Sequence, residues 1–338
     1  MVPLASPWPV RLPVPGLLLA VGVAAVATGL GELLPIVGGP VFGIVLGAAL
    51  AAVVPRHERL DPGLQFARSH VLQASIVLLG TGLSLSQVVH VGATSLPVLA
   101  GTLTVALVGA RLVGAALGVP RDARTLIGVG TGVCGASAIA AITPVLGAAE
   151  ADVAYAIGTI FTFNVAGVLL FPAVGHLLGL SQHAFGLWSG TAINDTSSVV
   201  AAAYSYGATA GAYAVVVKLT RSLAIIPITV GLALLRGRRS GADGRLDGAS
   251  LARLVPLFLV GFVATSAAQT AGVIPAGWHP ALGHTAVFCI TVALAAIGLS
   301  TRLSTLRQAG HRPLLLGAVL WAAVGVSSLL LQAVTGTL

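Results

Sequence analysis

The segment Gly190–Val200, GTAINDTSSVV, carries Asp195, the only acidic residue between Asp152 and Asp243. Further on, VVVKLTRSLAII holds Lys218, the single lysine of the chain, and Arg221. At that spacing the two cations share one face of a helix. Ionisable groups in such apolar surroundings are expensive and usually mark an ion or substrate pathway. Asn194, Asp195, Thr196 and Ser197 are residue types that cap helix N-termini by accepting backbone N–H bonds. A cap inside an apolar stretch implies an interrupted helix, whose free N–H groups and positive dipole end suit an anion. A second interruption is implied by TLIGVGTGVCGASAIAAITPVLGA, residues 125–148. There Gly128, Gly130, Gly132 and Gly135 crowd together beside Thr131, Cys134 and Ser137, and each glycine costs a helix about 1 kcal/mol relative to alanine. The two segments match at an offset of 60: Gly130-Thr131 with Gly190-Thr191, and Ser137 with Ser197.

These residues therefore form one candidate site for a substrate or ion: Gly130, Thr131, Gly132, Cys134, Gly135, Ser137, Asn194, Asp195, Thr196, Ser197, Lys218 and Arg221. Hydroxyls and helix ends would hold an anion, Lys218 and Arg221 would add positive charge, and Asp195 would carry a coupling proton or cation or pair with Lys218. A blander reading accounts for the same residues. The glycines pack helices closely, Asp195 only caps a half-helix or neutralises Lys218, and the two cations snorkel to a helix end.

The chain that must position these groups has 338 residues, 57% hydrophobic and 8% charged. A soluble domain carries about a quarter charged residues, so this is an all-α polytopic membrane protein. The net charge of +8 fits arginines in cytoplasmic loops better than nucleic-acid binding. Cys134 and Cys289 have no paired spacing for zinc or a disulfide framework. The motifs of metalloproteases and serine hydrolases are absent, and so are paired acids within a span. No catalytic residue, metal site or cofactor is expected, and the reading is not an enzyme.

Eleven apolar stretches are long enough to serve as spans, near 14–34, 39–54, 67–84, 94–118, 123–146, 151–178, 184–204, 211–235, 254–271, 281–301 and 313–335. Arginines follow the second, fourth, eighth and tenth of them, whereas the connections after the third, fifth, seventh and ninth have no Lys or Arg. This puts the N-terminus in the cytoplasm and the C-terminus outside, in a plasma (inner) membrane. It also runs the fifth and seventh spans in one direction, with Glu150 and Asp152 on the face opposite Arg121. A polar cytoplasmic loop is expected at about 236–253, within a single transporter domain covering 1–338.

Shifting the sequence by 216 residues aligns 78–109 with 294–325 without gaps at 11 identical positions of 32, among them Gly82/Gly298, Pro97/Pro313 and Gly101/Gly317. Seven spans apart, the copies would lie in opposite orientation, the trace of inverted repeats common in secondary transporters.

The stretches GVGTGVCGASAIAAITPV (128–145), GTAINDTSSVVAAA (190–203), VVKLTRSLAIIP (216–227) and LAAIGLSTRLSTLRQAGHRPLLLG (294–317) resemble the YeiH-type membrane proteins, a family also named for sulfate export. The resemblance spans nearly the whole chain. It implies a sodium/proton antiporter-like fold related to bile-acid symporters, with inverted repeats, interrupted helices crossing near the membrane midplane, and a core moving against a panel. Relatives typically place a histidine before the acid where this chain has Asn194-Asp195. The expected function is secondary transport of a small anion (sulfate, a sulfonate or a carboxylate), coupled to protons or sodium. The rival is a cation/proton antiporter using Asp195. The expected partners are the anion and the lipid bilayer, with a homodimer as a candidate assembly.

Overall fold

The structure, a computed structural model, describes residues 14–33, 39–53, 58–240, 255–300 and 311–338. Among these residues the ordered elements are all helices, with no strand. The arginine-rich loop expected at 236–253 lies outside them beyond residue 240, and residues 301–310 of the second repeat copy also lie outside. Among the described residues, six helical segments are long and apolar enough to cross a membrane. The chain packs as two compact units, one of residues 1–75 with 286–301 and the other of residues 76–285 with 302–338.

The first unit holds α1 (Val14–Leu33), α2 (Gly39–Val53), α3 (Asp61–Phe66), a π turn (Ala67–Val71) and the start of α4 (Leu72–Leu79). Small residues let its helices approach closely, as is usual where lipid removes the hydrophobic drive between helices. Ala20, Ala24, Leu64, Ala67, Val292 and Ala296 form its core. Gly47 faces the chain near Ala295 so closely that a Cβ would stand 2.5 Å from that residue's carbonyl oxygen, and one on Gly43 would stand 3.0 Å from the Thr291 oxygen. Overpacking a well-fitted contact costs about 1–3 kcal/mol. Gly47→Leu is therefore expected to lower the thermal unfolding midpoint in detergent, while Gly22→Leu, where a Cβ meets nothing within 4 Å, leaves it unchanged. Equal midpoints for the two variants would refute this packing.

The second unit is built on α5 (Leu85–Ala116) and α8 (Glu150–Leu177). A capping box starts α5, in which Ser84 Oγ accepts from Gln87 N–H and Gln87 Oε1 accepts from Ser84 N–H. The helix α6 (Arg121–Gly132) runs antiparallel to α5, with Gly114 against Arg124, Gly128 against Ala110 and Gly132 against Leu103. After three residues the chain reverses. A Cβ on Gly130 would meet Ile139 Cδ1 at 3.1 Å, although nine residues of continuous helix would separate them by about 13 Å. The returning helix is α7 (Ala136–Leu146), which ends on Gly147 in the left-handed conformation at φ 59°. The next helix, α8, then starts beside the start of α6, where Asp152 feels the charge of Asp122. Its 28 residues extend about 42 Å.

At the far end of α8 the pattern recurs. Ser181 Oγ caps α9 (Gln182–Ala192), accepting from Ala184 N–H. Three residues later α10 (Thr196–Tyr206) folds back. At its end the Tyr206 ring stacks on Phe185 at 3.8 Å and on His176 at 4.3 Å, and its hydroxyl donates to the Leu180 carbonyl. Gly207 rests against Gln182, and α11 (Ala208–Ser222) runs alongside α9 in the same direction, with Gly186 near Tyr213 and Gly190 near Val217. The chain continues through α12 (Ile225–Ser240), α13 (Leu257–Thr270), α14 (His279–Ser300) and α15 (His311–Thr335). The last of these packs antiparallel to α5, with Arg312 by Gly118 and Leu320 by Gly109. It also accepts a hydrogen bond from Trp188 Nε1 at the Gly325 carbonyl.

Two expectations are corrected. The stretches 123–146 and 184–204 do not cross as interrupted spans; each is a helical hairpin whose ends return to one side. Nor do they run in one direction, because they enter from opposite ends of α8. Glu150 and Asp152 consequently sit at the same end as Arg121. The physical reason lies at the breaks: non-helical backbone at Val133 (φ −123°, ψ −98°) and Gly135 (φ 71°, ψ −129°), and at Ile193 and Asp195 in the second stretch, turns each half-helix of 11 or 12 residues back on its partner.

Candidate functional site

The hairpin tips are Val133–Gly135 and Ile193–Asp195. They meet at the middle of α8, where Asn164 Oδ1 accepts from Asn194 N–H at 3.1 Å and Asp195 N–H at 3.2 Å. A Cβ on Gly135 would lie 3.7 Å from both Asn194 C and Asp195 N. Gly135 itself adopts φ 71°, ψ −129°, which a side chain would strain.

Each tip presents two helix ends of opposite polarity. The carbonyl ends belong to α6 and α9, and the two cations of α11 hold them. Lys218 Nζ donates to Val133 O at 2.8 Å and to Ile193 O at 3.0 Å. Arg221 donates from Nε to Gly132 O at 2.8 Å, from one terminal nitrogen to Thr131 O at 2.5 Å and from the other to Ile193 O at 3.4 Å. Lys218 is 0% exposed and Arg221 2%. Neither side chain snorkels, and among the described residues no ion pair joins Asp195 to either of them. Of the alternatives for Asp195, pairing with Lys218 is not what the structure has: both cations bond to carbonyls instead, because backbone oxygens at a C-terminal helix end are the nearer negative charge.

The amide ends belong to α7 and α10. Asp195 caps α10, its Oδ2 accepting from Ser197 N–H at 3.1 Å, from Ser198 N–H at 3.3 Å and from the Ser197 hydroxyl. By contrast, the N-cap residue of α7, Gly135, has no side chain to cap with, and in the first turn of that helix only the Ala138 amide meets a side chain, the Cys134 sulfur. Its first-turn residues Ala136 and Ser137 are exposed, while Cys134 and Asp195–Ser198 are half-buried. The amide ends thus border accessible space and the carbonyl ends do not.

All twelve candidate residues converge on this crossing, in different roles. Gly130 and Gly132 give α6 its close packing against Ile139, Ile160 and Leu103; Thr131 and Gly132 contribute carbonyls. Gly135 makes the reversal. Ser137, Cys134, Asp195, Thr196 and Ser197 line the accessible side, and Asn194 is 1% exposed. Asn164 was missed by motif reasoning, though a signal existed: Asn164 and Asn194 are the only asparagines in the sequence.

An all-helical bundle with several membrane-length apolar helices and two hairpins meeting inside it defines an integral membrane protein. Its family is shown by similarity. The chain belongs to the family described as conserved hypothetical protein 698, the YeiH family, whose model matches residues 15–317. It is 42% identical over 325 residues to a UPF0324 membrane protein of Streptococcus pyogenes serotype M6, covering 94% of this chain and 96% of that protein. It is 38% identical over 341 residues to a UPF0324 membrane protein of Fusobacterium nucleatum subsp. nucleatum, covering 95% and 98%. A UPF0324 membrane protein of Streptococcus mutans is 40% identical over 331 residues, covering 95% and 97%.

Proposed function

We propose that this protein is a secondary transporter that carries a small anion across the plasma membrane, without catalysing a reaction on it. The supporting observation is the charge balance at the crossing. Two N-terminal and two C-terminal helix ends, at about half a charge each, cancel. Two side-chain cations against one carboxylate then leave about one positive charge, and the bare end of α7 turns it toward accessible space. A sulfonate or a carboxylate would restore neutrality there, and so would sulfate together with one coupling cation. Asp195, with one oxygen outside the capping bonds, would meet the coupling proton or sodium ion.

The two hairpins support an inverted repeat at the 60-residue offset: α7 begins at 136 and α10 at 196, while α6 ends at 132 and α9 at 192. A second relation pairs α5 with α15, which match at the 216-residue offset and pack antiparallel. Because both hairpins return to their own side, removing them as crossings leaves the parity of the arginine-bearing connections unchanged, and the N-terminus stays cytoplasmic with the C-terminus outside. Both packing units belong to a single transporter domain in this reading.

The expected result is gradient-driven uptake of a small anion into proteoliposomes under an imposed pH or Na⁺ gradient, with Asp195→Ala abolishing the gradient dependence. Exchange of Na⁺ for protons with no anion uptake would replace this reading by the cation/proton antiporter that the free oxygen of Asp195 favours.

A further inference from the structure

The accessible side of the crossing is not uniformly donor-lined. The α7 amides of Ala136 and Ser137 have no side-chain cap, that of Ala138 meets the Cys134 sulfur, and the hydroxyls of Ser137, Thr196 and Ser198 make no side-chain hydrogen bond. Two acceptors stand among these donors without partners. One is Asp195 Oδ1, since all three capping bonds converge on Oδ2 and no ion pair reaches the carboxylate. The other is Asn194 Oδ1, enclosed on a residue that is 1% exposed and whose backbone carbonyl carbon lies 3.7 Å from the place of a Cβ on Gly135. The Asn194 oxygen is buried and unpaired, which costs free energy, whereas Asp195 Oδ1 belongs to a half-buried carboxylate on the accessible side, where it takes a hydrogen-bond donor rather than another anion's oxygen.

The geometry points to a substrate class within the proposed anion transport: a small anion that brings its own hydrogen-bond donor, its charged end on the α7 amides and an O–H or N–H group on Asp195 Oδ1. This rests on the anion reading of the site and narrows it. A fully deprotonated sulfate would set bare oxygens against a carboxylate. A hydroxy acid, a hydroxy- or aminosulfonate or a hydrogen oxyanion would satisfy both ends. The closeness of the tips, with Gly135 and Asp195 in contact distance, keeps such a substrate to a few heavy atoms.

The test uses pairs matched in size that differ in one hydroxyl, namely glycolate against propionate and isethionate against propane-1-sulfonate, in thermal-shift titrations of the detergent-purified full chain. A hydrogen bond to a charged acceptor is strong enough to favour the hydroxylated member of a pair about tenfold or more in half-saturating concentration. Asp195→Ser keeps a good N-cap residue on α10 but has no second oxygen, and should bind both members of a pair alike. Asp195→Asn also keeps the cap and can offer an amide N–H instead, which should turn the preference toward sulfate. Equal affinities within both pairs for the parent protein would overturn this inference and leave the anion site standing. Persistence of the preference in Asp195→Ser and Asp195→Asn would overturn it as well. If none of these anions stabilises the parent, the anion site itself falls, and this inference with it.

Discussion

Arg221→Met is expected to destabilise the protein by about 2–6 kcal/mol, since two buried carbonyl oxygens, those of Thr131 and Gly132, lose their side-chain partner at about 1–3 kcal/mol each. Methionine conserves most of the volume, so the loss comes from polar groups and not from a cavity. One compensation works the other way: a guanidinium no longer has to be desolvated. Lys218→Met should cost less. It strands only Val133 O, because Ile193 O keeps Arg221 at 3.4 Å. Arg221→Lys should recover part of the loss, since a single ammonium cannot span three carbonyls arranged for a fork. Thermal unfolding of the purified protein measures this ranking. The opposite pattern, with unchanged unfolding of Arg221→Met but lost anion stabilisation, would make Arg221 a substrate ligand and refute its role as a tie between helix ends.

That prediction turns on something no sequence motif displays. The residues Lys218, Arg221 and Asp195 were legible as one cluster, because charges in so apolar a chain are conspicuous. Their partners were not. A lysine and an aspartate close in an apolar setting suggest an ion pair, yet the negative groups nearest to Lys218 and Arg221 are carbonyl oxygens of Thr131, Gly132, Val133 and Ile193, which every residue carries. Only the direction of the half-helices reveals them. Asp195 was readable as a cap from NDTSS, and it is one.

The helices themselves were readable. The apolar stretch expected at 151–178 is the helix at Glu150–Leu177, and that expected at 313–335 is the helix at His311–Thr335. What misled was the sum of two short pieces. Arg121–Gly132 and Ala136–Leu146 together have the length of one span, so composition cannot separate a broken crossing from a hairpin. The distinction lies in backbone angles at the break and in which helix each half packs against. The 60-residue offset held usable information, since Gly147 and Gly207, at the ends of the two returning helices, obey it as well. Read as crossings, both stretches take the same direction, whereas the two hairpins enter from opposite ends of α8.

Gly135→Ala should separate the site from the scaffold. At φ 71°, ψ −129° a residue with a Cβ carries strain of about 1–3 kcal/mol. The added carbon would also sit 3.3 Å from Ile160 Cγ2 and 3.7 Å from the Asn194–Asp195 peptide. Relief of the backbone strain and of the tight Ile160 contact shifts the first tip, and with it the amides of Ala136 and Ser137 that face the accessible side. The expected outcome is a folded protein with a modestly lower unfolding midpoint whose anion transport falls at least tenfold, because a displacement on the order of 1 Å at a binding site can cost about a hundredfold. Gly147→Asn is the matched control. That glycine also has a positive φ, 59° with ψ 35°, but in the left-handed helical region that asparagine tolerates, and it lies at the base of the same hairpin, a helix length from the tip. It should unfold and transport like the parent. Parental transport by Gly135→Ala would show that the meeting of the two tips is a packing detail and that the anion binds elsewhere.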